Sequence, residues 1–190
     1  MKLHRFAAAG ALATLALIGS AHAVSLAANG AWAGFTVDGN LPPYSLGWSD
    51  DNAAPLSFEF AIAPGFQGTL TVVDLVFSGD RFSVTHNGQL LGLTSVAVDG
   101  YDPVNPGVLD ASTALAQPAF SRGVYMLGAG SHSITGALST SLTVDGQALD
   151  ATLGAVRLEV SAVPEPATLV TLLAGLSLLS LVLRRRSDSK

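Results

Sequence analysis

The sequence predicts an all-β fold, an antiparallel β-sandwich of jelly-roll type, flanked by an N-terminal signal peptide and a C-terminal transmembrane helix. Three observations predict it. Gly and Pro punctuate the middle of the chain at intervals typical of short strands. Apolar and polar residues alternate with period two in the best segments, and no 3.6-residue pattern of useful length occurs between the two ends. Charged residues make up only 12% against 49% hydrophobic, so surface polarity has to come from Gly, Ser, Thr, Asn and Asp, unlike the Lys- and Glu-coated faces of helical proteins.

In chain order, the first expected strand is Ala31–Val37. Leu56–Ala63 follows, with Phe58, Phe60 and Ile62 alternating against Ser57 and Glu59, and then Thr69–Phe77. Phe82–His86 and Gln89–Val96 should form a hairpin, because Asn87-Gly88 takes the positive φ of a type I′ turn. Asp99 to Gln117 is read as a long loop. Gly123–Leu127 and His132–Leu138 form a second hairpin around Gly128-Ala129-Gly130-Ser131. Ser141–Val144 precedes an Asp145-Gly146 turn, and Ala155–Ser161 closes the domain with Val156, Leu158 and Val160 on one face. About eight strands of this kind suit a sandwich.

The two ends carry their own signals. In residues 1–23, Lys2 and Arg5 precede a 13-residue apolar run, Phe6 to Ile18, and Ala21-His22-Ala23 is an A-x-A cleavage site before Val24. The run spans about 20 Å as a helix, short of a bilayer core of about 30 Å, so a secretory signal fits better than an anchor. The sandwich is assigned to residues 24–162 and a sorting tail to 163–190. There Pro164-Glu165-Pro166 leads into 17 uncharged residues, Ala167 to Leu183, followed by Arg184, Arg185 and Arg186. Such a helix reaches a span's short limit, and the arginines stay cytoplasmic by the positive-inside rule.

This tripartite tail resembles the PEP-CTERM sorting signal of exported bacterial proteins, motif by motif. The resemblance implies an exosortase as partner and an inner-membrane intermediate held by the C-terminal helix. It also implies display at the cell surface, or in the exopolysaccharide and biofilm matrix, of a Gram-negative host. In the middle, Gly79-Asp80-Arg81-Phe82-Ser83-Val84, Leu91-Gly92-Leu93-Thr94-Ser95 and Gly130-Ser131-His132-Ser133-Ile134-Thr135 resemble galactose-binding-like β-sandwich domains. That implies a fold, and a fold does not fix a function.

Composition excludes several function classes. Cysteine is absent, which removes thiolate metal sites, disulfides and cysteine nucleophiles. Between Val24 and Val163 three arginines stand against twelve Asp and Glu, a surface that repels phosphate backbones, so no nucleic acid is expected as partner.

Catalytic residues are expected to be none. His86 and His132 are read as exposed strand-end residues. Glu59 and Glu159 lie on outward strand faces, whereas glycoside hydrolysis needs two carboxylates across one cleft. No cofactor is required. The oxygen-rich loop Asp99, Asp102, Asn105 is the candidate for calcium, which favours such hard ligands. Tyr44 and Trp48, in one Pro-rich loop with Asp50-Asp51, are the candidates for stacking on a sugar. A non-enzymatic surface or matrix protein is therefore the first expectation, and an exopolysaccharide-binding module the second.

Overall fold

In the computed structural model the described residues are 22–163, with Leu176 alone beyond them. The run Phe6–Ile18, Ala21, the Pro164-Glu165-Pro166 motif, the expected transmembrane segment apart from Leu176, and Arg184 to Arg186 lie outside the described residues. Among the described residues no helix is long and apolar enough to cross a membrane.

Twelve strands and one short helix make up the fold: β1 (His22–Ser25), β2 (Asn29–Asp38), β3 (Ser45–Ser49), β4 (Leu56–Ile62), β5 (Phe66–Asp74), β6 (Arg81–His86), β7 (Gln89–Leu93), α1 (Ala111–Ala116), β8 (Arg122–Leu127), β9 (Gly130–Thr140), β10 (Thr143–Val144), β11 (Gln147–Ala148) and β12 (Ala151–Ala162). Ten of the strands join one sheet, and β10 and β11 form a separate hairpin. The large sheet doubles over on itself. One half runs β2-β12-β5-β8, the other β1-β4-β9-β6-β7, and β3 links them by pairing with both β2 and β9. Apart from β1 against β4, which is parallel, the pairings are antiparallel.

Alternation decides which side chains meet between the halves. Phe35 and Val37 on β2, Leu70 and Val72 on β5, and Val156 and Leu158 on β12 point inward from one half. Phe58 and Ile62 on β4, Phe82 and Val84 on β6, and Ile134 and Leu138 on β9 face them from the other. The layers interlock through aromatic edges: the Phe35 and Phe82 rings meet edge-on with centroids 5.1 Å apart. Full burial of each such side chain stabilises by about 1.5–3 kcal/mol. A second cluster forms outside the sandwich, where α1 packs Ala111 and Ala114 over Val73, Ala155 and Phe120.

Turn chemistry follows expectation at two turns. Asn87 and Gly88 have φ of 48° and 79°, and Asp145 and Gly146 have 51° and 77°, the left-handed pairs that tight hairpins need. Other features differ from the sequence reading. The hairpin expected around Gly128-Ala129-Gly130-Ser131 does not form: β8 pairs with β5 and β9 with β4 and β6, so the chain there crosses from one half to the other, and a Gly-rich link alone does not tell a crossover from a hairpin. β1 and β3 were not expected, because four and five residues are too few to show alternation above background. Residues 111–116, expected as loop, form α1 with Asp110 as its N-cap, accepting from the Thr113 amide at 2.7 Å. The strand expected at Thr69–Phe77 begins at Phe66 and ends at Asp74. Its partner β12 begins at Ala151, ahead of the expected Ala155, because pairing with β2 carries it past its alternating stretch.

Candidate functional site

One surface cleft lies where β2 and β3 turn away from the core. Asp38 ends β2, Leu41 and Pro43 cross over, and Ser45 and Ser49 bracket β3. Asp50 and Asp51 close the far wall of a cavity of about 310 Å³. Asp50 is locked in a turn: its Oδ1 accepts from the Asn52 amide at 2.8 Å and the Ala54 amide at 3.0 Å. Those amides, with a contribution from His22, hold its carboxyl below the usual carboxylate range. Asp38 accepts from the Asn40 amide at 2.9 Å. The cleft therefore presents carboxyl and hydroxyl groups beside apolar rims, and its carboxyl oxygens can accept hydrogen bonds from sugar hydroxyls.

The two expected stacking residues part company here. Tyr44 is 70% exposed, with φ of 57°, and remains free to lie against a ligand. Trp48 is only 2% exposed, and this corrects the expectation for it. Its indole faces inward from β3 and stacks on Phe35, with ring centroids 4.0 Å apart, so no sugar can reach its face. The sequence signal that misled was its loop-like neighbourhood of Pro, Ser and Asp, which hid a five-residue strand.

The histidines are corrected too. His86 and His132 converge: Nε2 of one lies 2.8 Å from Nδ1 of the other. His132 is 7% exposed, stacks on Phe60 at 5.0 Å, and its Nε2 lies 3.0 Å from the Gly128 carbonyl. A carbonyl only accepts, so Nε2 of His132 carries the proton, its Nδ1 accepts, and His86 donates. Both residues sit in phase with inward side chains, Phe82 and Val84 for His86 and Ile134 for His132. The pair thus closes one end of the core. Burial, and then the His132 ring, push His86 below the ordinary histidine value.

The Asp99, Asp102 and Asn105 set does not converge. Asp99 Oδ2 accepts from the Thr143 hydroxyl at 2.7 Å, while Asp102 turns into its own loop to accept from the Val104 amide at 2.9 Å and from the Asn105 side chain. Among the described residues, no group of three or more His, Asp or Glu is arranged to hold a metal ion. Glu59 and Glu159 alternate with inward residues on β4 and β12 and so lie on the outer faces of opposite halves.

At the two ends of the described chain, His22 bonds Asp50 at 3.0 Å through Nδ1, and Ala23 and Val24 continue β1 along β4. At the other end β12 pairs with β5 as far as Ala162 opposite Phe66, and the Val163 amide donates to the Gly65 carbonyl at 2.8 Å. The sorting residues start at the next position.

Comparison with protein families matches the PEP-CTERM protein-sorting motif over residues 162–186. The chain therefore carries the tail of an exported protein sorted by an exosortase. No curated protein matches the sequence. Among solved structures, the fold is similar to the pre-peptidase C-terminal domain of collagenase from Bacillus anthracis, at 8% identity and a TM-score of 0.38, covering 74% of this chain and 95% of that one.

Proposed function

We propose that this exosortase-sorted exported chain delivers a non-catalytic jelly-roll β-sandwich to the cell surface or extracellular matrix, in association with exopolysaccharide or biofilm. The observation that carries the reading is the junction at Val163: its amide donates to Gly65 at the edge of the described fold, and the P-E-P motif of the matched tail is the next stretch of sequence. A sorting enzyme is thereby offered its motif directly beside a finished domain. Strand order supports the jelly roll. Eight core strands divide as β2-β12-β5-β8 and β4-β9-β6-β7, and among these the chain changes halves at every connection except β6–β7.

Support for a non-catalytic role comes from where the acidic and basic groups lie. The two glutamates occupy opposite outer faces, too far divided by the sandwich for the paired-carboxylate geometry of a glycosidase. The two histidines are occupied with one another and with a carbonyl. Fractionation in hosts with and without an exosortase tests the reading. Expected is a processed, surface-located species only where the enzyme is present. The same membrane-bound species in both hosts would overturn it.

A second reading, a carbohydrate-binding module, is favoured by the β2–β3 cleft with its carboxylates and the exposed Tyr44 beside it. Retention on immobilised exopolysaccharide that is lost in Tyr44→Ala and Asp51→Asn would support it. Retention unchanged in both variants would remove the cleft from consideration.

A further inference from the structure

The two ends of the sandwich differ in charge. At one end the chain turns in four connections: residues 26–28 between β1 and β2, 63–65 between β4 and β5, 87–88 between β6 and β7, and 128–129 between β8 and β9. Register gathers them. Ile62 lies opposite Gly130, Gly68 opposite Leu127 and Ala162 opposite Phe66, while Asn29 faces Glu159 and the Asn87 amide donates to the Ser133 carbonyl. None of these connections contains a charged residue. Every aspartate of the described residues falls in the opposite connections, 39–44, 50–55, 75–80, 94–121 and 141–150, or at a strand end that adjoins one. Glu59 and Glu159 stand mid-strand, three residues before Ile62 and Ala162, which sets them about 10 Å back from the turns.

The charge-free end is apolar where it is open. Phe66 is 43% exposed, Val163 45%, Met126 59% and Leu90 67%, and Ala63 and Ala129 are exposed on the turns. Among the described residues its titratable side chains are His86 and His132, which are spent on each other and on the Gly128 carbonyl. This is also the end from which the chain leaves, through the Val163 amide bonded to Gly65. Three residues, 164–166, then separate Val163 from the uncharged run Ala167–Leu183. Fully extended they reach about 10 Å. The headgroup layer of one leaflet takes up roughly 5–8 Å of that. The run itself covers about 25 Å as a helix, less than a hydrocarbon core of about 30 Å, so it has no residues to spare as a spacer.

We propose that this charge-free end rests on the lipid surface while the tail spans the membrane, with its four turns at headgroup level and the aspartate-rich end pointing away. The inference rests on the exported, exosortase-sorted reading given above. The short reach of the tail brings lipid to this end, and the charge distribution lets it stay there. Anionic headgroups repel the aspartate-rich end, whereas nothing at the tail end opposes contact. Phe66, Val163, Met126 and Leu90 gain by leaving water for the interface. The contact holds Pro164-Glu165-Pro166 at headgroup depth, where a membrane-embedded enzyme can reach it.

The chain has no cysteine, so a single introduced one can carry an environment-sensitive fluorophore. The full chain, labelled through Ala63→Cys, Ala129→Cys or Asn52→Cys, is reconstituted in vesicles of phosphatidylcholine and phosphatidylglycerol that contain headgroup-spin-labelled lipid. The Ala63→Cys and Ala129→Cys probes should shift to shorter wavelength and be quenched, and the Asn52→Cys probe, at the opposite end, should show neither change. Adding Phe66→Asp should weaken quenching at Ala63→Cys while the β-type circular dichroism stays the same. Quenching at neither end means that the domain stands clear of the lipid, and quenching at both means that it lies on its side; either overturns the proposal. Unchanged quenching in a folded Phe66→Asp variant overturns it as well. Should that variant fail to fold, the three probes in the otherwise native chain decide alone. Quenching that requires an exosortase in the same vesicles assigns the surface to the enzyme and overturns the choice of lipid. Carbonate extraction separates this inference from the reading beneath it. A chain stripped from the vesicles overturns the anchored reading and the docking together, whereas an anchored chain with unquenched probes overturns the docking alone.

Discussion

The indole of Trp48 lies nearly parallel to the Phe35 ring, 18° apart in plane with centroids separated by 4.0 Å, and this stack pins β3 and β2 to the core at the hinge between the two sheet halves. Phe58 and Phe82 close on the same indole from the sides, each at 6.3 Å. Truncating Trp48 to Ala should therefore destabilise by about 3–5 kcal/mol. Trp48→Phe should cost much less, since the indole Nε1 is buried without a partner and its removal relieves about 1–3 kcal/mol of desolvation. Gly136→Ala should also destabilise, by about 1–3 kcal/mol, because a Cβ there would meet the Trp48 ring, and the Ser83 carbonyl at 2.8 Å. Tyr44→Ala should stay within about 0.5 kcal/mol. Urea midpoints check all four, and a Trp48→Ala midpoint equal to wild type would contradict the hinge.

What the sequence made legible was periodic. Phe58 and Ile62, or Val156 and Leu158, declare their inward face through alternation that any sandwich would impose. The Asn87-Gly88 turn was legible because its backbone demands those residues. Trp48 was not, since β3 is five residues long and set among turn formers. Asp74 and Asp80 were hidden differently. Each continues an apolar alternation into a position where a charge is expected to face solvent, and only the meeting of the two halves makes them a buried pair. The histidine pair is likewise a product of β6–β9 register, which places His86 opposite Ile134, two residues from His132.

His86 should make the fold acid-sensitive. Its folded pKa lies below the ordinary value of 6.5, so the folded state favours the neutral ring and the unfolded chain takes up the proton first. Its contribution is complete above about pH 6.5 and is lost as pH falls through the folded value. Thermal midpoints of wild type and His86→Gln should diverge in that direction, the variant showing the shallower loss. Parallel curves would show that His86 does not titrate as described.

Asp74, fully buried at the end of β5, should act with the opposite sign. Burial, and then the charge of Asp80, raise its folded value from 3.8 to about 9, so its contribution is fully present below the unfolded value and is lost as pH rises through about 9. Asp74→Asn should flatten this loss, leaving the variant more stable than wild type at neutral and alkaline pH. A variant less stable than wild type at pH 8 would contradict the buried, protonated state.

Export should leave Val24 as the first residue of the mature protein. Removal of His22 and Ala23 cuts β1 to Val24 and Ser25 and takes away the His22 contact with Asp50, whereas Val24 keeps its packing against the core. The contact is solvent-exposed and screened, so the domain should tolerate the loss. N-terminal sequencing of exported protein checks it, and recovery of Met1 would end the idea.

Processing at the tail should depend on Pro164-Glu165-Pro166 and on Arg184-Arg185-Arg186 for different physical reasons. β12 is held against β5 to Ala162 and the Val163 amide is fixed on Gly65, so the motif follows directly on the last paired strand among the described residues. Prolines there cannot continue the sheet ladder and favour extended chain, an edge that an enzyme can read by shape with one carboxylate for charge. Pro164→Ala, Glu165→Ala and Pro166→Ala together should leave full-length protein in the inner membrane. The arginines act through the bilayer instead, each costing about 2.5–3.5 kcal/mol at its centre, so that three resist passage outward. Arg184→Ser, Arg185→Ser and Arg186→Ser together should let the tail slip across, giving unprocessed protein that is released from the membrane. Mass and fractionation of each variant, in hosts with and without an exosortase, separate the two effects. If the motif variant and the wild type are processed equally in both hosts, the tail is a plain anchor and the sorting role of the motif in this chain fails.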